Sequence, residues 1–325
     1  MTLPYLTRAQ APLTCAIDTV NESGEHLVVS IPAERALTVY VDKRELVTLM
    51  TLGAHPELLV LGYLLNQRLI KEVTEMESIT VDWDVGVAAV KTKSGIADIE
   101  EKTSKRVVTT GCGQGSVFGG LMDEVDQIKL PVQAGMTQSQ LYSLVNTIRL
   151  METTYKSAGS VHACALFAIT GSEPDMLLFV EDVGRHNAID TIAGWMAMNR
   201  PPPIAAVCGL PDVPAQPAQA LRLEPGAAGP ARLTDEAGPD MPANPWRDHG
   251  SEGLVFYTTG RLTSEMVIKS AQMGVPIVVS RSGITQMGHQ VAQTVGLCAI
   301  GRATNKRFLC YANAQRLQLE PGLVG

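Results

Sequence analysis

LVFYTTGRLTSEMVIKSAQMGVPIVVSRSGITQMGHQVAQTVGLCAIG, residues 254–301, decides the fold class. Three short apolar runs, LVFYT, PIVVS and LCAIG, alternate with segments of helical spacing, one from Thr263 to Gly274 and one from about Ile284 to Val295. Strands that are apolar throughout have no face to offer to water, so they belong in a sheet covered on both sides. Upstream, HACALFAI from His162 and MLLFVED from Met176 read as further apolar strands, followed by a helix from about Arg185 to Met198. RFLCYA from Arg307 adds a last strand. The fold class is α/β, a three-layer α/β/α domain.

Further upstream, MTQSQLYSLVNTIRLMETTYKSAG carries a capping box from Thr137 to Gln140 and apolar residues at Leu141, Leu144, Val145, Ile148 and Met151, which predicts one helix that stops near Gly159. Residues 27–49 alternate in strand fashion, and His55 to Ile70 has helical spacing at Leu58, Leu61, Leu65 and Leu69. Strands near 79–83, 86–91 and 105–109 complete a smaller, strand-rich N-terminal domain. From Arg200 to Gly250, Pro, Ala and Gly crowd out any apolar periodicity, so this segment reads as a disordered insertion. The expected organisation is an N-terminal mixed α/β domain over 25–110, a mobile cysteine-bearing loop and connection over 111–135, and a core of 136–199 with 251–318, interrupted by 200–250.

Composition narrows the function. With 325 residues and 45% hydrophobic content the chain can bury a core without staples. The six cysteines, at 15, 112, 164, 208, 298 and 310, contain no CxxC pair, so reduced cytosolic thiols are expected and a zinc ribbon or disulfide framework is not. A formal net charge of -7 argues against a broad nucleic-acid footprint, although a local basic cluster can still hold one phosphorylated ligand. The start of the chain lacks a basic stretch followed by an apolar run, and no apolar run is long enough to span a bilayer, so no membrane partner is expected and the cytoplasm is the expected compartment.

TTGCGQGSVFGG, residues 109–120, places Cys112 among glycines. Such a backbone lets a partner approach closely, and the thiol is then presented rather than packed; the bland alternative is a surface turn with an incidental cysteine. Four stretches combine glycine with polar groups at strand-to-helix turns. SAGSVHAC contributes His162, and a lone histidine there is more often a satisfied turn residue than a catalyst. VEDVGRHNAID sets Glu181, Asp182, Arg185, His186, Asn187 and Asp190 around one glycine at a helix N-terminus, where Arg185 with His186 can receive an anion. A capped, solvated turn explains one or two of those six. TTGRLTSEMVIK adds Arg261 at a strand's carboxyl end, with Thr263 or Ser264 capping the helix, and VVSRSGITQMGHQ adds Arg281, Ser282 and Thr285. Arg302, Lys306 and Arg307 in GRATNKRF form a basic cluster that is either solvated surface or a phosphate-binding rim. No Walker A loop, GxSxG elbow or zinc-ligand spacing is present, which also argues against a deaminase. The residues imply a site for a phosphorylated, nucleotide-like ligand beside a loop thiol able to carry sulfur as a persulfide.

Taken together, EDVGRHNAID, GSVHACALF, GRLTSEMVIK, PIVVSRSGITQMGHQVAQTVGLCAIGRATNKRF, LTVYVDKREL and PELLVLGYLL resemble the formate dehydrogenase accessory sulfurtransferase family, FdhD, over roughly Leu37 to Leu317. The resemblance implies a cytidine-deaminase-like α/β/α core, a homodimer, and a sulfur carrier. It would accept sulfur from a cysteine desulfurase and pass it to the molybdenum bis-guanine-dinucleotide cofactor that enters formate dehydrogenase. Cys112 matches the first cysteine of the family's C-G-x-C loop and would carry the persulfide. Arg302, Ala303, Thr304, Asn305, Lys306 and Arg307 match the cofactor-contacting turn. Arg185, His186, Arg261, Ser282 and Thr285 would complete the rim. No intrinsic metal is expected. The chain departs from the family in that Gly113, Gln114 and Gly115 follow Cys112, so no second loop thiol is present, and in that Arg302 replaces the usual aromatic residue. The alternative is a molybdenum-cofactor chaperone that works by binding alone.

Overall fold

The computed structural model describes residues 3–96, 99, 107–108, 115–116, 125–151, 153–199 and 253–323. Cys112 and the segment 200–250 lie outside the described residues.

The N-terminal part contains β1 (Tyr5–Leu6), β2 (Thr14–Val20), β3 (His26–Pro32), β4 (Arg35–Val41), β5 (Arg44–Thr51), α1 (Pro56–Asn66), β6 (Met76–Asp82), β7 (Val87–Thr92), β8 (Val107–Val108) and β9 (Gly115–Ser116). The alternating stretch 27–49 is thus divided among three strands: β3 pairs with β2 in a separate ribbon, while β4 and β5 form a hairpin. Asp42 and Lys43 both take positive φ at its turn, which suits the right-handed twist of the flanking strands. β1, β6, β7, β4 and β5 make a five-stranded sheet in that order, with Leu37, Val39 and Val41 on its buried face.

The remainder contains β10 (Met136–Thr137), α2 (Gln138–Leu150), α3 (Thr154–Ala158), β11 (His162–Ile169), β12 (Pro174–Asp182), α4 (Arg185–Asn199), β13 (Leu254–Thr258), α5 (Ser264–Gln272), β14 (Ile277–Ser280), α6 (Gln286–Val295), β15 (Cys298–Thr304), β16 (Arg307–Ala312) and β17 (Leu317–Gln318). Six strands form one mixed sheet in the order β12-β11-β13-β14-β15-β16, with β13, β14 and β15 parallel and the flanking pairs antiparallel. Alternate residues serve opposite faces. Leu166, Phe256, Val278 and Ala299 share a core with apolar residues of α1, α4, α5 and α6, whereas Phe167, Tyr257, Val279 and Ile300 pack with Leu141, Leu144 and Val145 of α2. The apolar runs therefore find helices on both faces, as their composition requires.

The single helix expected from Thr137 to Gly159 is two. Its capping box is present, with the Thr137 hydroxyl accepting from Gln140 N, but α2 ends at Leu150. Thr153 then caps α3, and the Glu181 carboxylate accepts from the amides of Thr154 and Tyr155 at 2.6 and 3.1 Å. A tertiary acceptor for those amides outweighs continuing the helix.

α1 and α4 meet backbone to backbone. A Cβ on Gly62 would lie 1.7 Å from Asp190 O, and one on Gly194 would lie 2.0 Å from Leu58 O. Only glycine permits this approach, which joins the N-terminal sheet to the central one through a shared apolar core. Gly62→Ala is expected to force the helices apart and cost about 2–3 kcal/mol; denaturant unfolding that leaves the variant within 0.5 kcal/mol of the parent, about the scatter for harmless changes, would refute the tight contact.

Candidate functional site

Strand direction assembles the site. β12 runs with β13, β14 and β15, so the carboxyl ends of all four reach one edge of the sheet, where β11 also begins. That edge collects Gly184, Arg185 and His186 after β12, Gly260 and Arg261 after β13, Arg281 and Ser282 after β14, and Arg302 within the end of β15. His162 faces Asp182 across the β11–β12 pair. Ligands of open α/β sheets sit at such edges.

The turns are tied together. Ser280 Oγ donates to Gly260 O at 2.7 Å and accepts from Ser282 N at 2.9 Å. Arg281 N donates to Thr258 O at 3.0 Å, and Arg302 N to Ser282 O at 2.7 Å. Arg185 lies against Gly260, where a Cβ would come 2.7 Å from Arg185 Cδ. The structure thus links Arg185, Gly260, Ser282 and Arg302 into one continuous rim.

Most polar residues of VEDVGRHNAID turn out to hold the fold. Asp182 accepts from Thr51 Oγ1, Leu52 N, Gly184 N and Asn187 Nδ2 at 2.5–3.0 Å. Burial raises its pKa while these donors oppose the rise. Asn187 also donates to Met50 O at 2.6 Å, and Glu181 anchors α3. Asp190 accepts from Asn66 Nδ2 at 2.7 Å and from Lys269 Nζ at 2.9 Å. Arg185 and His186 are what remains for a ligand.

Arg185 is 5% exposed, and its Nε has no hydrogen-bond partner among the described residues. A buried guanidinium donor without an acceptor is costly, and an anion at the sheet edge would satisfy it. His186 is also buried, with Nε2 3.5 Å from Glu265 Oε2, and burial lowers its pKa to about 3 against the pull of Glu265. It is therefore neutral at neutral pH. Burial likewise lowers His162, helped by the nearby charges of Arg185 and Arg261, which places those three side chains in one electrostatic neighbourhood.

Lys269 was not legible as a site residue, although Glu265 and Lys269 stand four apart on α5. It is fully buried, 2.9 Å from Asp190 and 3.4 Å from Glu265. Burial would lower its pKa, but the two carboxylates outweigh that and raise it. Thr285 caps α6, its hydroxyl accepting from Gly288 N at 3.2 Å. Thr263 occupies the cap position of α5, yet its buried hydroxyl has no partner among the described residues. Arg302 to Arg307 form the tip of the β15–β16 hairpin, with Ala303 buried and Arg302, Thr304, Asn305, Lys306 and Arg307 exposed. Tyr142 of α2 donates to Lys306 O at 3.0 Å, which ties the tip to α2. Cys112 lies outside the described residues, but β8 pairs with β9 through Val107–Ser116 and Val108–Gly115, joining the chain on either side of 109–114. Cys164 is buried, its thiol pushed up to about 12, which removes it as a nucleophile.

The histidine sign is testable. His186 is lowered in the folded state, so the unfolded chain takes the proton first and stability falls as pH drops from about 6.5 toward 3. His186→Asn is expected to remove up to about 1.4 kcal/mol of that loss per pH unit. Parallel denaturation series at pH 7.5 and 5, with no difference in slope between variant and parent, would contradict the assignment.

The family model described as FdhD/NarQ matches residues 32–207 and 246–318. The chain is 26% identical over 305 residues to the sulfur carrier protein FdhD of Bacillus subtilis (strain 168), covering 92% of this chain and 93% of that one. It is 21% identical over 286 residues to the sulfur carrier protein FdhD of Wolinella succinogenes, covering 88% and 82%. A solved structure from Desulfotalea psychrophila, described as a candidate formate dehydrogenase accessory protein, superposes with a TM-score of 0.63 at 18% identity, over 94% of this chain and all of that one. Among the described residues no helix is long and apolar enough to cross a membrane.

Proposed function

The chain belongs to the FdhD/NarQ family, and on that premise we propose that it is a sulfur carrier whose Cys112 receives sulfur from a cysteine desulfurase and passes it to a molybdenum bis-guanine-dinucleotide cofactor bound for formate dehydrogenase. The observation that carries this reading is the rim running from Arg185 through Gly260 and Ser282 to Arg302, with one buried guanidinium donor, Arg185 Nε, left without an acceptor among the described residues. A dinucleotide needs anion donors spread along an edge, and this one offers Arg185, Arg261 and Arg302 with the exposed hairpin tip beyond. Ser282, held by Ser280, lines the middle, and Thr285 shapes the rim by capping α6. His186 contributes a neutral imidazole behind Arg185. The helices on both faces of the sheet are compatible with a cytidine-deaminase-like core, and a homodimer is the arrangement we expect.

The Cys112 thiolate attacks the terminal sulfur of the desulfurase persulfide, the donor's cysteine thiolate leaves, and the protein holds a persulfide. The terminal sulfur then bonds to the cofactor and the Cys112 S–S bond breaks; two electrons from a soluble thiol reductant, itself oxidised to a disulfide, leave the transferred atom as sulfide and return Cys112 to its thiolate. No neighbouring thiol is required in either step. The absence of a second loop cysteine favours one competing reading, a cofactor chaperone that binds without carrying sulfur. Intact-mass spectrometry after incubation with a cysteine desulfurase and cysteine separates the two. A reductant-reversible gain of sulfur, absent from Cys112→Ala, supports the carrier; no gain in the parent protein supports the chaperone.

A further inference from the structure

Two cysteines stand apart from this site. Cys298 opens β15 and Cys310 lies on β16, the outermost strand of the six-stranded sheet. Ile300 pairs with Cys310 while Ala299 pairs with Ala312, and this irregularity sets Cys298 diagonally across from Cys310 on one face. Their sulfurs are 3.8 Å apart. A disulfide bond measures about 2.05 Å, so joining them requires the sulfurs to close by roughly 2 Å.

The two thiols are unequal. Cys298 is fully buried in the core beneath α2, while Cys310 on the edge strand is half-buried. The hydrogen bond between them lowers Cys310 below the ordinary thiol range and raises Cys298, which is also pushed up by burial. The reachable sulfur is thus the better nucleophile, and the buried one stands behind it as a resolving thiol.

We propose that Cys298 and Cys310 form a hydroperoxide-reactive dithiol that closes to a disulfide across β15 and β16. The Cys310 thiolate attacks one peroxide oxygen, the O–O bond breaks, and the departing hydroxide or alkoxide takes a proton from water, leaving Cys310 as a sulfenic acid. The Cys298 sulfur then attacks the Cys310 sulfur, the S–O bond breaks, and the leaving oxygen departs as water with the Cys298 proton. Two thiols lose two electrons and two protons, and the hydroperoxide is reduced to water and the corresponding alcohol or a second water. A thiol reductant reverses the disulfide. The bond would staple the base of the hairpin whose tip is Arg302 to Arg307.

The test uses the full-length reduced protein treated with hydrogen peroxide, blocked with iodoacetamide and digested with trypsin. Arg302, Lys306 and Arg307 lie between the two cysteines, so they fall on separate peptides, 282–302 and 308–316. The expected result is a linked pair, lighter by two hydrogen atoms than the sum of its parts and separated by reductant. In Cys298→Ala the link is lost and dimedone labels Cys310; in Cys310→Ala the link is lost and Cys298 stays a free thiol, alkylated once the protein is denatured. A parent protein in which peroxide leaves Cys310 a free thiol, or links it to Cys15 or Cys112 instead, overturns the proposal without requiring either variant to fold.

Discussion

Cys112→Ala is expected to abolish maturation of formate dehydrogenase in a strain lacking the native protein, down to the level of an empty vector. On the proposed reading Cys112 is the sulfur acceptor, and Cys164, buried with its thiol raised to about 12, cannot substitute. The apolar clusters that hold the fold are built from residues 37–90, 125–198 and 254–317, so the variant should remain folded. Its unfolding free energy is expected within about 1 kcal/mol of the parent, the ordinary size of a single substitution. Complementation by the variant at even a tenth of the parental activity would rule out Cys112 as the sulfur acceptor. Loss of activity with uptake of sulfur still intact would instead place Cys112 after the carrier step.

The second large effect is expected at Lys269. Its ammonium is fully buried between Asp190 and Glu265, and Asp190 is itself fully buried. Lys269→Met fills the space but leaves Asp190 with only Asn66 as a donor. Breaking a buried pair in this way costs about 3–5 kcal/mol, because the remaining charge has lost its compensation. Burial already raises Asp190 in the parent. Without Lys269 that rise grows, so the folded variant binds a proton more tightly than its unfolded chain and its deficit shrinks as pH falls. Lys269→Met combined with Asp190→Asn removes both charges and is expected to recover a large part of the loss. Urea unfolding of the parent, single and double variants at pH 7.5 and 5.5 decides it: a single variant within 1 kcal/mol of the parent, or one that weakens further at low pH, would show that the pair does not have the role assigned to it.

Both effects bear on how the site is built. The Lys269 network joins α1, α4 and α5 behind Arg185 and His186, so it fixes the helix that presents Arg185, whose buried Nε has no partner among the described residues. The rim in front of it is held by backbone and serine hydrogen bonds. The glycine contact at Gly260 lets Arg185 lie along the turn that carries Arg261.

Much of this was legible in the chain itself. Runs such as LVFYT and PIVVS require a sheet with two covered faces, the Thr137 to Gln140 spacing announces a helix start, and EDVGRHNAID with GRLTSEMVIK marks the family; each is a short-range pattern, because periodicity and capping act over a few residues. The tertiary structure alone sorted the polar residues of that string into those that hold the fold and those left over. Asp182 is satisfied by Thr51 and Leu52, and Asp190 by Asn66 and Lys269, all partners distant in sequence that no local spacing reveals. The same holds for the break after Leu150, where the Glu181 carboxylate claims the amides of α3, and for the approach of Cys298 to Cys310, which depends on an irregular register between two strands. A buried donor or acceptor must be paired wherever the fold can supply a partner, so which residues remain free for chemistry is settled by packing.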